Sequence, residues 1–315
     1  MRKFIFLFFC IHISFFADAQ ENVDEALAFQ YYQQADYEKA TVLLEKLFNQ
    51  TKSDAYFELY FNALIKIKKY KESELILKKL LKQNPDKHQY NIALGRVYQE
   101  SGRTAEANKI YLEVINNIPK DENKIRQIAN DFYRFEAYDM AVSVFLQGRK
   151  VLADEQLFTF DLLSIYRYKK NKPMLIQEYL NILGTLPQML PQAQNTFASV
   201  FEDDSDYQLL QLALFKKIQK EPQLEVFSEM LVWQFVQQKE YELALRQLIA
   251  QDKRTNGNGI TLYNTANTFI ANKAYTTAIK AYEYILTKGT ENEIYIPAKI
   301  ELINAKCELG IIRPY

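Results

Sequence analysis

Cysteine and histidine are nearly missing from this sequence. It has two of each in 315 residues, and Cys10 and His12 both fall in the first nineteen. Only Cys307 and His88 remain beyond that stretch, so no disulfide within the chain is available there. A zinc site of the usual kind, and a Ser/His or Cys/His nucleophile pair, lack their parts. Cys307 lies on an apolar helical pattern and reads as a small buried hydrophobe; His88 opens a segment after Asn84-Pro85-Asp86-Lys87 and reads as a solvent-exposed turn residue. Glycine and proline are also scarce, at eight each. No Gly/Ser/Pro-rich linker divides the chain, which implies one elongated domain. The richest glycine stretch, Asn256-Gly257-Asn258-Gly259, has no strand before it and no Lys-Ser/Thr after it, so it is a turn and not a phosphate loop. Charge of either sign is not in excess. Lys plus Arg and Asp plus Glu are both 39, which removes the drive for general nucleic-acid binding and for anionic lipid.

Long apolar runs are likewise missing, with one exception. Residues 1–19 begin with Arg2 and Lys3, run apolar from Phe4 to Phe16, and end Ala17-Asp18-Ala19. This is the layout of a cleaved secretory signal peptide, and the run is too short to span a bilayer comfortably. Cys10 lacks the small residues that precede a lipid-modified cysteine. Residues 20–315 are therefore expected to be exported, to the periplasm or in association with the outer membrane.

What fills the remainder is repetition. In Tyr90–Pro119, Leu94, Gly95 and Tyr98 share one helical face, Ser101-Gly102 breaks it, and Ala107, Tyr111 and Val114 share a second. The unit is two short antiparallel helices with small residues, Gly95 and Ala107, where they approach. Ala107 has counterparts at Ala40, Ser73, Ala141, Leu175, Leu209, Ala244 and Ala278, each step being 33 to 35 residues. An aromatic stands three positions earlier at Tyr37, Tyr70, Tyr138, Tyr241 and Tyr275. A hairpin of this kind cannot bury its apolar face alone and needs neighbours stacked on it.

The pattern resembles the tetratricopeptide repeat family, over about Glu21 to the C-terminus. The resemblance implies an all-α, right-handed superhelical solenoid of about eight helix-turn-helix units plus a final single helix. The units fall near 21–53, 54–87, 88–121, 122–155, 156–189, 190–224, 225–258 and 259–292, with a partial one at 293–315. The unit near 190–224 is the poorest match: Pro187 and Pro191 precede its first helix, and Leu209 replaces the small residue, so a local distortion is expected. The family brings no catalytic motif and no cofactor; it implies a binding mode.

That binding mode places the first helix of each hairpin on the inner face. In register, the inner-face candidates are Asn62, Lys66, Arg96, Arg126, Asn130, Tyr133, Arg134, Arg167 and Trp233, with Phe160 and Tyr168 beside them. Arg126, Asn130 and Arg134 form one stripe, four residues apart. They resemble in part the Lys/Arg and Asn arrangement with which some members clamp a peptide carboxylate, although the two-repeat Lys-Asn pair is not reproduced in order. Two readings stand: a groove for an acidic peptide or a free C-terminus, and ordinary solvated charges on helix faces. Trp233 likewise reads as a contact anchor or as packing. The acidic run Glu202-Asp203-Asp204 with Asp206 reads as a solvated turn.

The last helix keeps Ile300, Ile303, Cys307 and Leu309 on an apolar pattern where a closing helix normally turns a polar face outward. The expected function is a non-enzymatic interaction scaffold or adaptor of the cell envelope, meeting a membrane only through a complex. The alternatives are an assembly subunit that associates through this apolar edge, and an accessory protein that touches glycan through Trp233 and Tyr133.

Overall fold

The computed structural model describes residues 23–312; the leader-like stretch 1–19 lies outside the described residues. Among the described residues there are seventeen α-helices, one 3₁₀ turn and no strand. None of these helices is long and apolar enough to cross a membrane. The chain divides into two compact units, residues 1–158 and 159–315.

The first unit holds four hairpins: α1 (23–33) with α2 (Tyr37–Thr51), α3 (Asp54–Lys66) with α4 (Tyr70–Gln83), α5 (His88–Glu100) with α6 (Thr104–Asn116), and α7 (Glu122–Arg134) with α8 (Tyr138–Leu152). Each hairpin turns by the same device. The second residue of the turn is left-handed, at Ala35, Lys68, Gly102 and Glu136. The next N–H then reaches back five residues, as Arg103 does to the Tyr98 carbonyl at 2.8 Å and Ala137 to Phe132 at 2.9 Å. These bonds satisfy helix-end carbonyls that would otherwise have no partner. The small residues Ala40, Ser73, Ala107 and Ala141 are all buried in the seams. At Gly95 the approach is so close that a Cβ would stand 2.2 Å from Tyr111 Cε1.

The second unit holds α9 (Thr159–Tyr168) with α10 (Lys172–Leu183), α11 (Leu190–Val200) with α12 (Asp204–Lys220), α13 (Glu225–Gln237) with α14 (Tyr241–Thr255), α15 (Ile260–Ala271) with α16 (Tyr275–Leu286), and a single closing helix, α17 (Tyr295–Glu308). The left-handed turn recurs at Lys170, Lys239 and Lys273 but has no counterpart between α11 and α12. There Phe201 is extended and Asp203 caps α12 by accepting from the Ser205 N–H. A 3₁₀ turn, Pro187–Met189, precedes α11.

This irregularity corrects the register read from sequence. Leu209 is 42% exposed, while its neighbour Leu210 is fully buried and occupies the seam. The acidic turn is also more structured than expected. Asp206 is buried, accepts from the Glu202 N–H at 2.8 Å and is met by Lys172 Nζ at 2.7 Å. Asn256 and Gly259 are both left-handed, as a turn there requires.

Candidate interaction surfaces

The inner face of the first unit is built by α1, α3, α5 and α7. Phe57 on α3 and Phe135 at the end of α7 meet edge to face, with ring centroids 6.1 Å apart. The second and fourth hairpins therefore touch through these two rings. Arg96 on α5 is 5% exposed. Its Nη1 donates to Asn62 Oδ1 at 3.2 Å and its Nη2 to Glu136 Oε2 at 2.7 Å. A buried guanidinium needs such partners, because desolvation is otherwise uncompensated. Arg134 Nη1 approaches Glu58 Oε2 at 3.7 Å. Burial raises the Glu58 carboxyl above the usual range, and Arg134 opposes that shift. Tyr32 on α1 is raised as well, first by burial and then by Tyr37, Glu136 and Glu58.

The structure thus brings Asn62, Arg96 and Arg134 together around Glu58 and Glu136. Arg96, read from sequence as an inner-face residue, is a buried bridge between hairpins with both of its hydrogen-bond acceptors in this chain. On the outer part of α7, Arg126 pairs with Glu122 at 3.0 Å and covers the Phe158 ring at 5.0 Å. Asn130 is exposed, and Tyr133 is 42% exposed with its ring edge-on to Tyr138 at 5.0 Å. Lys66 at the end of α3 is exposed and makes no ion pair with the described residues. These side chains present a mixed-charge surface instead of a row of cations.

Arg167 and Trp233 belong to the second unit. Arg167 is exposed at the end of α9, and Phe160 and Tyr168 on the same helix are exposed too. Trp233 on α13 is half-buried, 6.5 Å from the Tyr207 ring. It ends a run of ring contacts through Tyr207, Phe201, Phe197 and Tyr179. Much of its surface is spent on packing.

At the end of the second unit, α17 turns Ala298, Leu302 and Ala305 inward and leaves a second stripe outside. Ile296, Ile300 and Ile303 are 61%, 53% and 47% exposed. Cys307 continues this stripe and is half-buried, not enclosed. Its helix face has no further hairpin among the described residues to cover it. His88 also departs from the sequence reading: it is half-buried, and burial lowers its pKa while Asp86 opposes the shift. Among the described residues no group of three or more His, Cys, Asp and Glu is placed to hold a metal ion.

No family model and no curated protein matches this sequence. Solved structures similar to it include tetratricopeptide repeat proteins. The C-terminal part of a tetratricopeptide repeat-containing protein from Cytophaga hutchinsonii is 14% identical, with a TM-score of 0.31, over 87% of this chain and 98% of that one. A tetratricopeptide repeat protein from Parabacteroides merdae is 12% identical, with a TM-score of 0.27, over 90% and 98%. The APC/C hetero-tetramer Cut9-Hcn1 is 18% identical, with a TM-score of 0.31; the match covers 90% of this chain but 55% of that chain. The repeat character of the fold stands on the chain's own recurring hairpins, described above.

Proposed function

We propose that this protein is an exported, non-enzymatic interaction scaffold of the bacterial cell envelope that holds a partner segment along α7 of the first unit. The observation that carries this reading is the exposed face of α7, where Asn130, Tyr133 and Arg134 stand beside Arg126. The Arg126–Glu122 pair is a surface pair, worth no more than about 1 kcal/mol, and the Arg134–Glu58 contact is long at 3.7 Å. A carboxylate of the partner, from an acidic side chain or a free C-terminus, exchanges for Glu122 at little cost and shares Arg134 with Glu58. Arg96 does not take part in that exchange, since it is buried. Tyr133 adds apolar contact area at low entropic cost. The signal-like residues 1–19 support the envelope location. The experiment is purification from the native envelope fraction after crosslinking, comparing the natural chain with Arg126→Glu/Arg134→Glu. Loss of a specific crosslinked partner in the variant supports the reading; an unchanged partner refutes it.

A second reading rests on α17. Its exposed isoleucines are the kind of uncovered edge through which repeat arrays associate. The test is mass as a function of concentration for the natural chain and for Ile300→Asp.

A further inference from the structure

A cleft of about 400 Å³ opens in the first unit where the turns before α5 and α7 meet. Its walls come from Asp54 at the start of α3, Lys87, His88 and Gln89 at the start of α5, and Ile128 and Asp131 on α7. Two acceptors in these walls are unsatisfied. Gln89 is 4% exposed, and its Oε1 has no hydrogen-bond partner. Gln89 is one of the residues that line the cleft. Asp131 is partly buried, and its carboxylate has no hydrogen bond or ion pair with the described residues. A desolvated carboxylate and a buried amide oxygen without donors both cost stability. Where such a cost persists inside a cleft, a ligand that supplies the donors is the physical remedy.

The other wall charges decide which ligand. Lys87 is already paired with Asp54 and lies over the Tyr90 ring. His88 is held toward its neutral form by burial. Asp86 and Lys124 sit at the exposed rim. The interior therefore offers acceptors and one net negative charge, with Ile128 and Pro119 as an apolar wall for an aliphatic stem.

We propose that this cleft is a socket for a basic side chain, arginine or lysine, of the segment bound along α7. The inference rests on the reading that a partner lies on that helix. Socket and outer face are both carried by α7, so one segment reaches both. Its guanidinium or ammonium head donates to Asp131 and Gln89, and its stem lies on Ile128.

The test titrates the full chain with N-acetyl-arginine N-methylamide, its neutral citrulline isostere and agmatine, followed by saturation-transfer NMR. The arginine compound is expected to bind at least about tenfold more tightly than the citrulline one, the worth of a charge-assisted hydrogen bond. Asp131→Asn and Gln89→Met are each expected to weaken it several-fold, while Arg126→Glu/Arg134→Glu, which takes a cation away from beside Asp131, is expected to retain it or strengthen it. Equal binding of arginine and citrulline compounds, or undiminished binding to Asp131→Asn, overturns the socket. Agmatine binding tenfold more tightly than the arginine compound also overturns it, because a side chain within a peptide does not supply agmatine's second cation. The Arg126/Arg134 variant separates the two proposals: loss of the envelope partner with the socket intact is a statement about the outer face alone.

Discussion

Phe57 and Phe135 lie edge to face at 76°, with centroids 6.1 Å apart, although one belongs to the second hairpin and the other to the fourth. Phe57 also meets Tyr90 at 4.8 Å and Phe61 at 4.6 Å. This aromatic cluster joins α3, α5 and the end of α7. Salt bridges then form over it, Arg134 to Glu58 and Arg96 to Glu136. Asn130, Tyr133 and Arg134 on α7 remain exposed beside it.

Phe135 is buried, and its ring ties hairpins that are not adjacent in sequence. Phe135→Ala is expected to lower the stability of the first unit by about 3–4 kcal/mol, as for a large aromatic removed from a packed core. Urea unfolding followed by circular dichroism measures this. A loss under about 1 kcal/mol would mean that the α3–α7 contact does not hold in solution.

Gly95 has no room for a methyl group, because Tyr111 fills the space. Tyr111 is itself buried and cannot swing away cheaply. Gly95→Ala is expected to cost about 1–3 kcal/mol by overpacking, despite the better helix propensity of alanine. A more stable variant in thermal unfolding would contradict the close approach of α5 and α6.

Asp131 gives a pH signature. Burial raises its carboxyl to about 6; Arg134 and Lys87 oppose the shift, while Asp54 and Glu58 add to it. The unfolded value is about 3.9. Between these values the folded chain holds the proton more tightly, so this group's contribution to stability falls as pH rises from about 4 through about 6. Asp131→Asn removes that loss. The variant is expected to melt higher than the natural chain at pH 7.5, by on the order of 1–2 kcal/mol in stability, with the difference shrinking toward pH 4. An equal difference at both pH values would show that the carboxylate is not desolvated.

Ile300 is exposed midway along the α17 stripe. If this edge associates, the mass of the natural chain rises with concentration in sedimentation experiments. Ile300→Asp is then expected to stay at monomer mass with an unchanged melting temperature. A constant monomer mass for the natural chain removes the second reading.

The repeats were legible because packing demands recur with the fold. Ala40, Ser73, Ala107 and Ala141 sit where helix seams tolerate only small side chains, and the 33- to 34-residue spacing exposes them. The left-handed turn was legible only at Gly102. Elsewhere it falls on Ala35, Lys68, Glu136, Lys170, Lys239 and Lys273, which carry no glycine signal and are held by the 6→1 bond of the turn. Leu209 was read one residue out: Leu210 takes the seam, in the hairpin whose α11–α12 connection lacks the left-handed turn of its neighbours. The fate of Arg96 was hidden for another reason. Asn62 stands one 34-residue repeat before it, but Glu136 lies 40 residues after it in the α7–α8 turn, a pairing that the repeat spacing does not encode. The cleft was hidden likewise, since its walls come from three helices and their turns.

One measurement bears on the scaffold proposal before any other: crosslinked purification from the native envelope fraction, with the natural chain beside Arg126→Glu/Arg134→Glu. A specific partner that is retained by the natural chain and lost from an equally folded variant is the predicted result. The same partner recovered at the same yield from both would contradict binding along α7.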